Sequence, residues 1–201
     1  MQKSLLSDKV VNMKKEVEIL IKVFDKKKDA IKKLNGFKFL GNKKTLDIYL
    51  FDPKRDDLTP DKNGQLKNCL RVRNKEGKSS VTYKADHFDK NKIWLYSDEY
   101  ETDISDFKKT IEIFKKLGYK ELIKIENVKS TFINDKYEIV LEDVKNLGIF
   151  MEVERHNVSK KESIVKVKKE IWDWIQKLGI KVGLELTMGK PELMLRKTQM
   201  F

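Results

Sequence analysis

The chain has 201 residues, of which 39% are hydrophobic and 38% charged, with a formal net charge of +12. That length lets a single domain, taken as residues 1–201, bury a core without disulfides, and the lone cysteine, Cys69, excludes an internal one, so a reducing cytoplasmic setting is expected. No apolar run approaches the ~20 residues of a membrane-spanning helix, and the opening MQKSLLSDKVV lacks the apolar stretch of a secretory signal. The positive balance invites a nucleic-acid reading, but the 32 acidic residues are interleaved with the basic ones and no nucleic-acid-binding motif is present. Nucleic acid and membrane are therefore set aside as partners. A basic field attracts a polyanionic small molecule equally well.

In chain order, the stretch Glu16-Val17-Glu18-Ile19-Leu20-Ile21-Lys22-Val23 alternates with a period of two and predicts a strand with one apolar and one charged face. Asp25 to Gly36 predicts a helix, with Asp25 as N-cap and Gly36 at the C-cap. Strands follow at 37–40 and 45–51, then a polar loop from Asp52 to Lys67, expected to be mobile. Strands at 68–74 and 78–84 flank the turn Lys75-Glu76-Gly77, and another spans 93–102. From Ser105 a helix carries Phe107, Ile111, Phe114 and Leu117 at core spacing and stops at Gly118. Strands recur at 121–129, 130–133, 137–141 and 149–155, and a helix fills 160–178 before Gly179.

Three of these strands carry Glu-x-Glu and run into a helix ending at glycine: Glu16/Glu18, Glu99/Glu101 and Glu152/Glu154. Like charges at i and i+2 crowd one face, and side by side they repel unless counter-ions hold them. If helices cover the apolar faces, the charged faces turn inward. The expected class is α+β: a mainly antiparallel β-barrel, or tunnel, with a charged interior and helices packed outside.

Carboxylates converging from several strands are oxygen ligands suited to Mg²⁺ or Mn²⁺. Arg71, Arg73, Lys84, Lys22 and Lys129 would form an opposite, basic wall. Arginine is scarce in this lysine-rich chain, and its fork binds phosphate oxygens bidentately, which is a chemical reason for the pair in Leu70-Arg71-Val72-Arg73. Together the walls suit a metal–polyphosphate complex; a set of internal salt bridges without ligand is the alternative. His87, His156 and Cys69 offer no nucleophile–base pair, and no phosphate-binding glycine loop occurs.

These motifs, in this order, resemble the CYTH or triphosphate tunnel family, most closely its class IV adenylyl cyclase branch. Glu16-Val17-Glu18 is similar to the family's opening Glu-x-Glu-x-Lys, Leu70-Arg71-Val72-Arg73 to its Leu-Arg-x-Arg, Thr82-Tyr83-Lys84 to its lysine strand, and Phe150-Met151-Glu152-Val153-Glu154 to its late Glu-x-Glu element. Asp47 to Leu50 with Asp52 to Asp56 resembles the segment before the arginine strand in the cyclase-like branch. Leu20, Ser97, Asn127, Lys129 and Gly189-Lys190 depart from the pattern, so the acidic wall is fuller than the basic one. The resemblance implies that Glu16, Glu18, Glu152 and Glu154, with Glu142 or Asp143, hold Mg²⁺ or Mn²⁺. It implies that Arg71, Arg73, Lys84, Lys22 and Lys129 hold the phosphates of ATP, thiamine triphosphate or tripolyphosphate, with Lys84 and Lys22 catalytic. The activity implied first is conversion of ATP to cyclic AMP and pyrophosphate. A thiamine triphosphatase or inorganic tripolyphosphatase comes second, and a non-catalytic polyphosphate- or nucleotide-binding protein third. A homodimer is left open.

Overall fold

The computed structural model describes residues 14–90, 94–159 and 161–198, with the backbone alone for 14–16. Ile93 and Lys160, assigned above to a strand and a helix, lie outside the described residues. In chain order the elements are β1 (Lys14–Glu16), β2 (Glu18–Val23), α1 (Lys27–Lys32), β3 (Lys38–Phe51), β4 (Asn68–Lys75), β5 (Lys78–Phe88), β6 (Trp94–Ile104), α2 (Phe107–Lys116), β7 (Lys120–Ile133), β8 (Tyr137–Val144), β9 (Gly148–Arg155), α3 (Ile164–Lys177), β10 (Val182–Glu185) and α4 (Lys190–Lys197).

All strand pairings are antiparallel, in the order β1-β6-β5-β4-β3-β7-β8-β9-β2-β10. β1 and β2 are one run interrupted only at Val17, yet β1 pairs with β6 and β2 with β9. The sheet therefore curls until both flanks meet on the same segment, and the expected tunnel results. Alternation then sorts the side chains. On β2, Ile19, Ile21 and Val23 point outward into a core with Val167, Ile171 and Ile175 of α3 and Ala30 of α1, while Glu18 and Leu20 face the interior. On the opposite flank Ile48, Leu50 and Val72 pack beneath Phe107, Ile111 and Phe114 of α2. Burial of each such aliphatic side chain contributes roughly 1.5–3 kcal/mol, which holds the apolar face outward against the helices and leaves the charged face to the lumen.

Helix α4, not anticipated from the sequence, departs from the plan of helices outside. Its Met194 and Leu195 join Leu20, Tyr49 and Phe150 in one buried cluster, and Leu20 and Tyr49 also line the lumen. This helix adds Lys190, Pro191 and Glu192 to the lining of the lumen.

Other expectations change in detail. The segments 37–40 and 45–51 form one strand, β3, which passes Gly41 (φ 111°) with a register shift; 121–129 and 130–133 likewise merge in β7. Asp25 does not cap α1, whose N-cap is Lys26; its carboxylate instead accepts from Lys33 Nζ at 2.8 Å and from the Lys181 backbone at 3.0 Å. The turn at Glu76-Gly77 has positive φ at both residues, as a tight hairpin of that twist requires. The 52–67 segment is anchored rather than loose: Leu58 and Leu66 are buried, and Asp57 bonds Arg55 and Asn68. Leu117 is exposed, so the apolar stripe of α2 ends at Phe114. Strand β10 was also unforeseen; it pairs with β2.

Candidate functional site

The lumen encloses a cavity of about 280 Å³ whose walls differ in charge. Alternate residues of β4 supply Cys69, Arg71, Arg73 and Lys75, and β5 adds Thr82 and Lys84. Across the lumen stand Glu18 of β2, Glu152 and Glu154 of β9 and Glu138 of β8. Register explains the acidic wall: Glu18 pairs with Glu154, which pairs on its other side with Glu138. Three carboxylates thus lie in one row across three adjacent strands. Glu138 was missed in the sequence, although its parity with Glu142 on the same strand would have placed it inward.

On the basic wall, Arg71 is 9% exposed. Its Nη2 donates to Thr82 Oγ1 at 3.0 Å and lies 3.5 Å from both Glu99 Oε1 and Glu101 Oε2, while its Nε is buried with no hydrogen-bond partner. Lys84 Nζ is 3.4 Å from Glu99 Oε2. Arg73 is committed differently, because Nε and Nη2 each donate to an Asp47 oxygen at 2.7 Å. Burial pushes the Asp47 carboxyl up, but the Arg73 fork outweighs it and holds the group at about 2.

Beneath these groups lies an enclosed ion cluster. Glu142 is fully buried; Oε1 accepts from Lys129 at 2.7 Å and from Lys190 at 3.0 Å, and Oε2 accepts from Asn127 Nδ2 at 3.1 Å. Lys190, the first residue of α4, also donates to Glu152, and Lys129 stands 3.8 Å from Glu152 Oε2. Burial pushes Glu152 up and Lys190 down, yet their mutual attraction and Lys129 win, leaving Glu152 well below the usual carboxylate range and Lys190 above the usual lysine range. Two carboxylates and two ammoniums balance here without any ligand.

The candidate residues from the sequence thus separate. Glu18, Glu152, Glu154, Arg71, Arg73, Lys84 and Lys129 line the cavity. Lys22 does not: it has the right parity but is exposed, opposite Phe150 and beyond the lining residues. Asp143 is exposed on the outer face, one residue out of phase with Glu142, and Glu142 is sealed below the cavity by two lysines. The Glu16 side chain lies outside the described residues; its backbone pairs with Ser97. Sequence reading gave no role to Lys190, whose helix opens on Gly189 and Pro191 and resembles a turn, nor to Asp47 as the partner of Arg73.

The CYTH domain profile matches residues 14–186. This chain belongs to the CYTH family. A relative from Methanocaldococcus jannaschii, named "Putative adenylate cyclase", is 36% identical over 160 residues, covering 78% of this chain and 86% of its own. A solved structure from Pyrococcus horikoshii superposes with a TM-score of 0.70 at 26% identity, covering 90% of this chain and 99% of that one. A Hippeastrum protein described as a "Putative adenylyl cyclase" with a dominant triphosphatase activity has a TM-score of 0.62 at 14% identity, covering 92% and 96%; it shares the fold. No helix among the described residues of this CYTH protein is long and apolar enough to cross a membrane.

Within the CYTH tunnel, fit to a divalent cation can be judged from the donors. All-carboxylate oxygen donors suit Mg²⁺ or Mn²⁺. Among the described residues no three acidic, histidine or cysteine side chains converge on one point. A cation there would take one or two carboxylates and complete its shell with water and substrate oxygens, which is the ordinary habit of Mg²⁺. Glu18 and Glu154, direct register partners, both line the lumen and fit that role; Glu142 is fully buried below the cavity, and Glu152 is tied to Lys190 and Lys129.

Proposed function

We propose that this CYTH protein is a metal-dependent enzyme acting on a triphosphate, with ATP the substrate and a class IV adenylyl cyclase-like reaction the first reading. The observation that carries it is the opposition, around one cavity, of Arg71 and Lys84 on one wall and Glu18 and Glu154 on the other. A triphosphate needs cations on more than one side, and a divalent ion at Glu18 and Glu154 would supply the second set by screening phosphate charge and orienting oxygens. Arg71 and Lys84 would hold phosphate oxygens and stabilise charge on the leaving group as the bond to phosphorus breaks. In the cyclase reaction the ribose 3′-hydroxyl attacks the α-phosphorus and pyrophosphate leaves.

A triphosphatase is the second reading, favoured by how much of the basic wall is already used. Arg73 is held by Asp47 and Lys129 by Glu142, so fewer cations remain to grip a leaving pyrophosphate. The experiment is a product assay with Mg²⁺ or Mn²⁺ on ATP, thiamine triphosphate and tripolyphosphate in parallel. Cyclic AMP with pyrophosphate supports the first reading and orthophosphate alone the second. No product from any of the three overturns both.

A further inference from the structure

Several carboxylates of the cavity wall are engaged by a donor. Glu99 faces Arg71 and Lys84, Glu101 accepts from Thr82 Oγ1 at 2.6 Å, Asp86 accepts from Ser97 Oγ at 2.6 Å, and Glu152 is tied to Lys129 and Lys190. Such contacts stabilise the ionised form and make a carboxylate a weak proton acceptor. Glu18 and Glu154 have the cation-binding role proposed above, and Glu138 stands beside Glu154 in the same row.

Glu192, the third residue of α4, differs. It lines the cavity, is 4% exposed, and has its Oε2 buried without a hydrogen-bond partner. Gly189 leaves the space for that oxygen, since a Cβ there would lie 2.9 Å from it. Burial, with the Asp86 carboxyl, pushes Glu192 up against the pull of backbone N–H groups of Glu192 itself, Leu66 and Gly189, and leaves it at about 7. A polar atom kept buried and unpaired is costly, and its explanation is to be sought in the chemistry of the site.

The surroundings set Glu192 beside the phosphate wall. Cys69 pairs in register with Lys84 and lies two residues from Arg71. Burial pushes the Cys69 thiol up, and the Glu192 and Asp86 carboxyls push the same way, against Lys84 and Arg71. The thiol therefore stays protonated and is no base. On α4 itself, Lys190 is turned to Glu142 and Glu152, while Arg196 shares with Glu192 the lining of a smaller cavity of about 130 Å³.

We propose that Glu192 is the general base of the reaction, its Oε2 taking the proton of the hydroxyl that attacks phosphorus. As the hydroxyl oxygen bonds to phosphorus, the bond from phosphorus to the leaving group breaks, and its electron pair goes to the leaving phosphate, which faces Arg71 and Lys84. The proton passes from Glu192 to solvent when product departs. The hydroxyl is that of the ribose in a cyclase and of water in a triphosphatase, so one base serves both readings. The proposal rests on reading the Arg71 and Lys84 wall as the phosphate clamp. Proton transfer is most efficient when the base titrates near the working pH, which an ordinary carboxyl does not.

The test is kcat and KM from about pH 5 to about pH 9, with Mg²⁺ or Mn²⁺ and whichever of ATP, thiamine triphosphate and tripolyphosphate is turned over, for wild type, Glu192→Gln and Glu192→Asp. Calorimetric binding of tripolyphosphate with Ca²⁺ and circular dichroism accompany it. The wild-type kcat is expected to rise with pH to a plateau, with a midpoint near the Glu192 value of about 7. Glu192→Gln should lower kcat by roughly 10²–10⁴ and lose that limb, with KM and tripolyphosphate binding within about threefold of wild type. Glu192→Asp should restore the limb at a reduced rate, which a merely structural role would not do. A wild-type kcat that is flat across this range overturns the proposal without any variant. So does folded Glu192→Gln that keeps the wild-type limb or loses kcat and tripolyphosphate binding together. Wild-type protein that turns over none of the three substrates overturns the enzymatic reading, and this proposal with it.

Discussion

Arg73 and Asp47, on neighbouring strands and directly paired in register, form a two-bond fork at 2.7 Å per bond with Asp47 2% exposed. A guanidinium so engaged is part of the architecture before it is available to any ligand. Because the folded pKa of Asp47 is about 2 against an ordinary 3.8, the pair's stabilisation is complete above about pH 4 and is lost as pH falls through 2. The difference corresponds to about 2 kcal/mol. Urea unfolding of wild type and Asp47→Asn should therefore show a large stability gap at pH 6 that narrows below pH 4 and has lost roughly two-thirds of that amount at pH 2.5. A gap independent of pH would exclude this ion pair as its source.

The buried cluster makes a second prediction. Lys190→Met leaves Glu142 and Glu152 to share Lys129, and loss of one partner from a buried ion pair costs about 3–5 kcal/mol. Adding Glu142→Gln removes the surplus negative charge, so the double variant should be more stable than the sum of the two single losses by about 1 kcal/mol or more. Strict additivity in denaturant unfolding would show that the two side chains do not interact.

Glu192 behaves in the opposite sense to Asp47. Burial raises its carboxyl to about 7 from 4.5, so the folded state is penalised increasingly as pH rises from 4.5 to 7, and fully above that. Glu192→Gln is expected to unfold at higher urea than wild type at pH 8, by about 3 kcal/mol, and to match it near pH 4.5. The reverse order at pH 8 would mean that the carboxylate is well accommodated.

Turnover separates the lumen from its surroundings. Arg71→Ala should lower kcat by roughly 10²–10³, the usual effect of deleting a donor to developing charge. Glu18→Gln should raise the Mg²⁺ concentration needed for half-maximal rate. Lys22→Ala and Asp143→Asn, both exposed and away from the lining, should stay within about twofold of wild type. A collapse of activity in Lys22→Ala would move the site toward that end of β2.

Much of this was legible because alternation is a strong constraint: where one face of a strand is apolar and covered, the other is fixed, so Arg71, Arg73, Glu152 and Glu154 could be placed inward from sequence. Alternation gives the face but not the depth, and Lys22 therefore shares a face with Glu18 without reaching the cavity. It also punishes a slip of one residue, which is the whole difference between buried Glu142 and exposed Asp143. Register between strands is not written in either strand alone, so the Arg73–Asp47 fork and the row Glu18–Glu154–Glu138 emerged only from the pairing. Helix α4 was hidden by its own opening, since Gly189 and Pro191 read as a break although proline suits the first turn of a helix.

The closing segment from Lys14 to Val23 has a consequence for how the protein is made. Glu18 finds its partner Glu154 only after most of the sheet has been synthesised, and β10 joins the same strand later still. Contacts so distant along the chain are slow to form, because the loop between them must be ordered first. During synthesis the segment emerges early and waits for β9, while β3 to β6 and β7 to β9 form as two runs of neighbouring antiparallel strands that join where β3 pairs with β7. The tunnel shuts in one late step, and a nascent chain held short of β9 exposes an open sheet edge of the kind that chaperones capture and aggregates recruit.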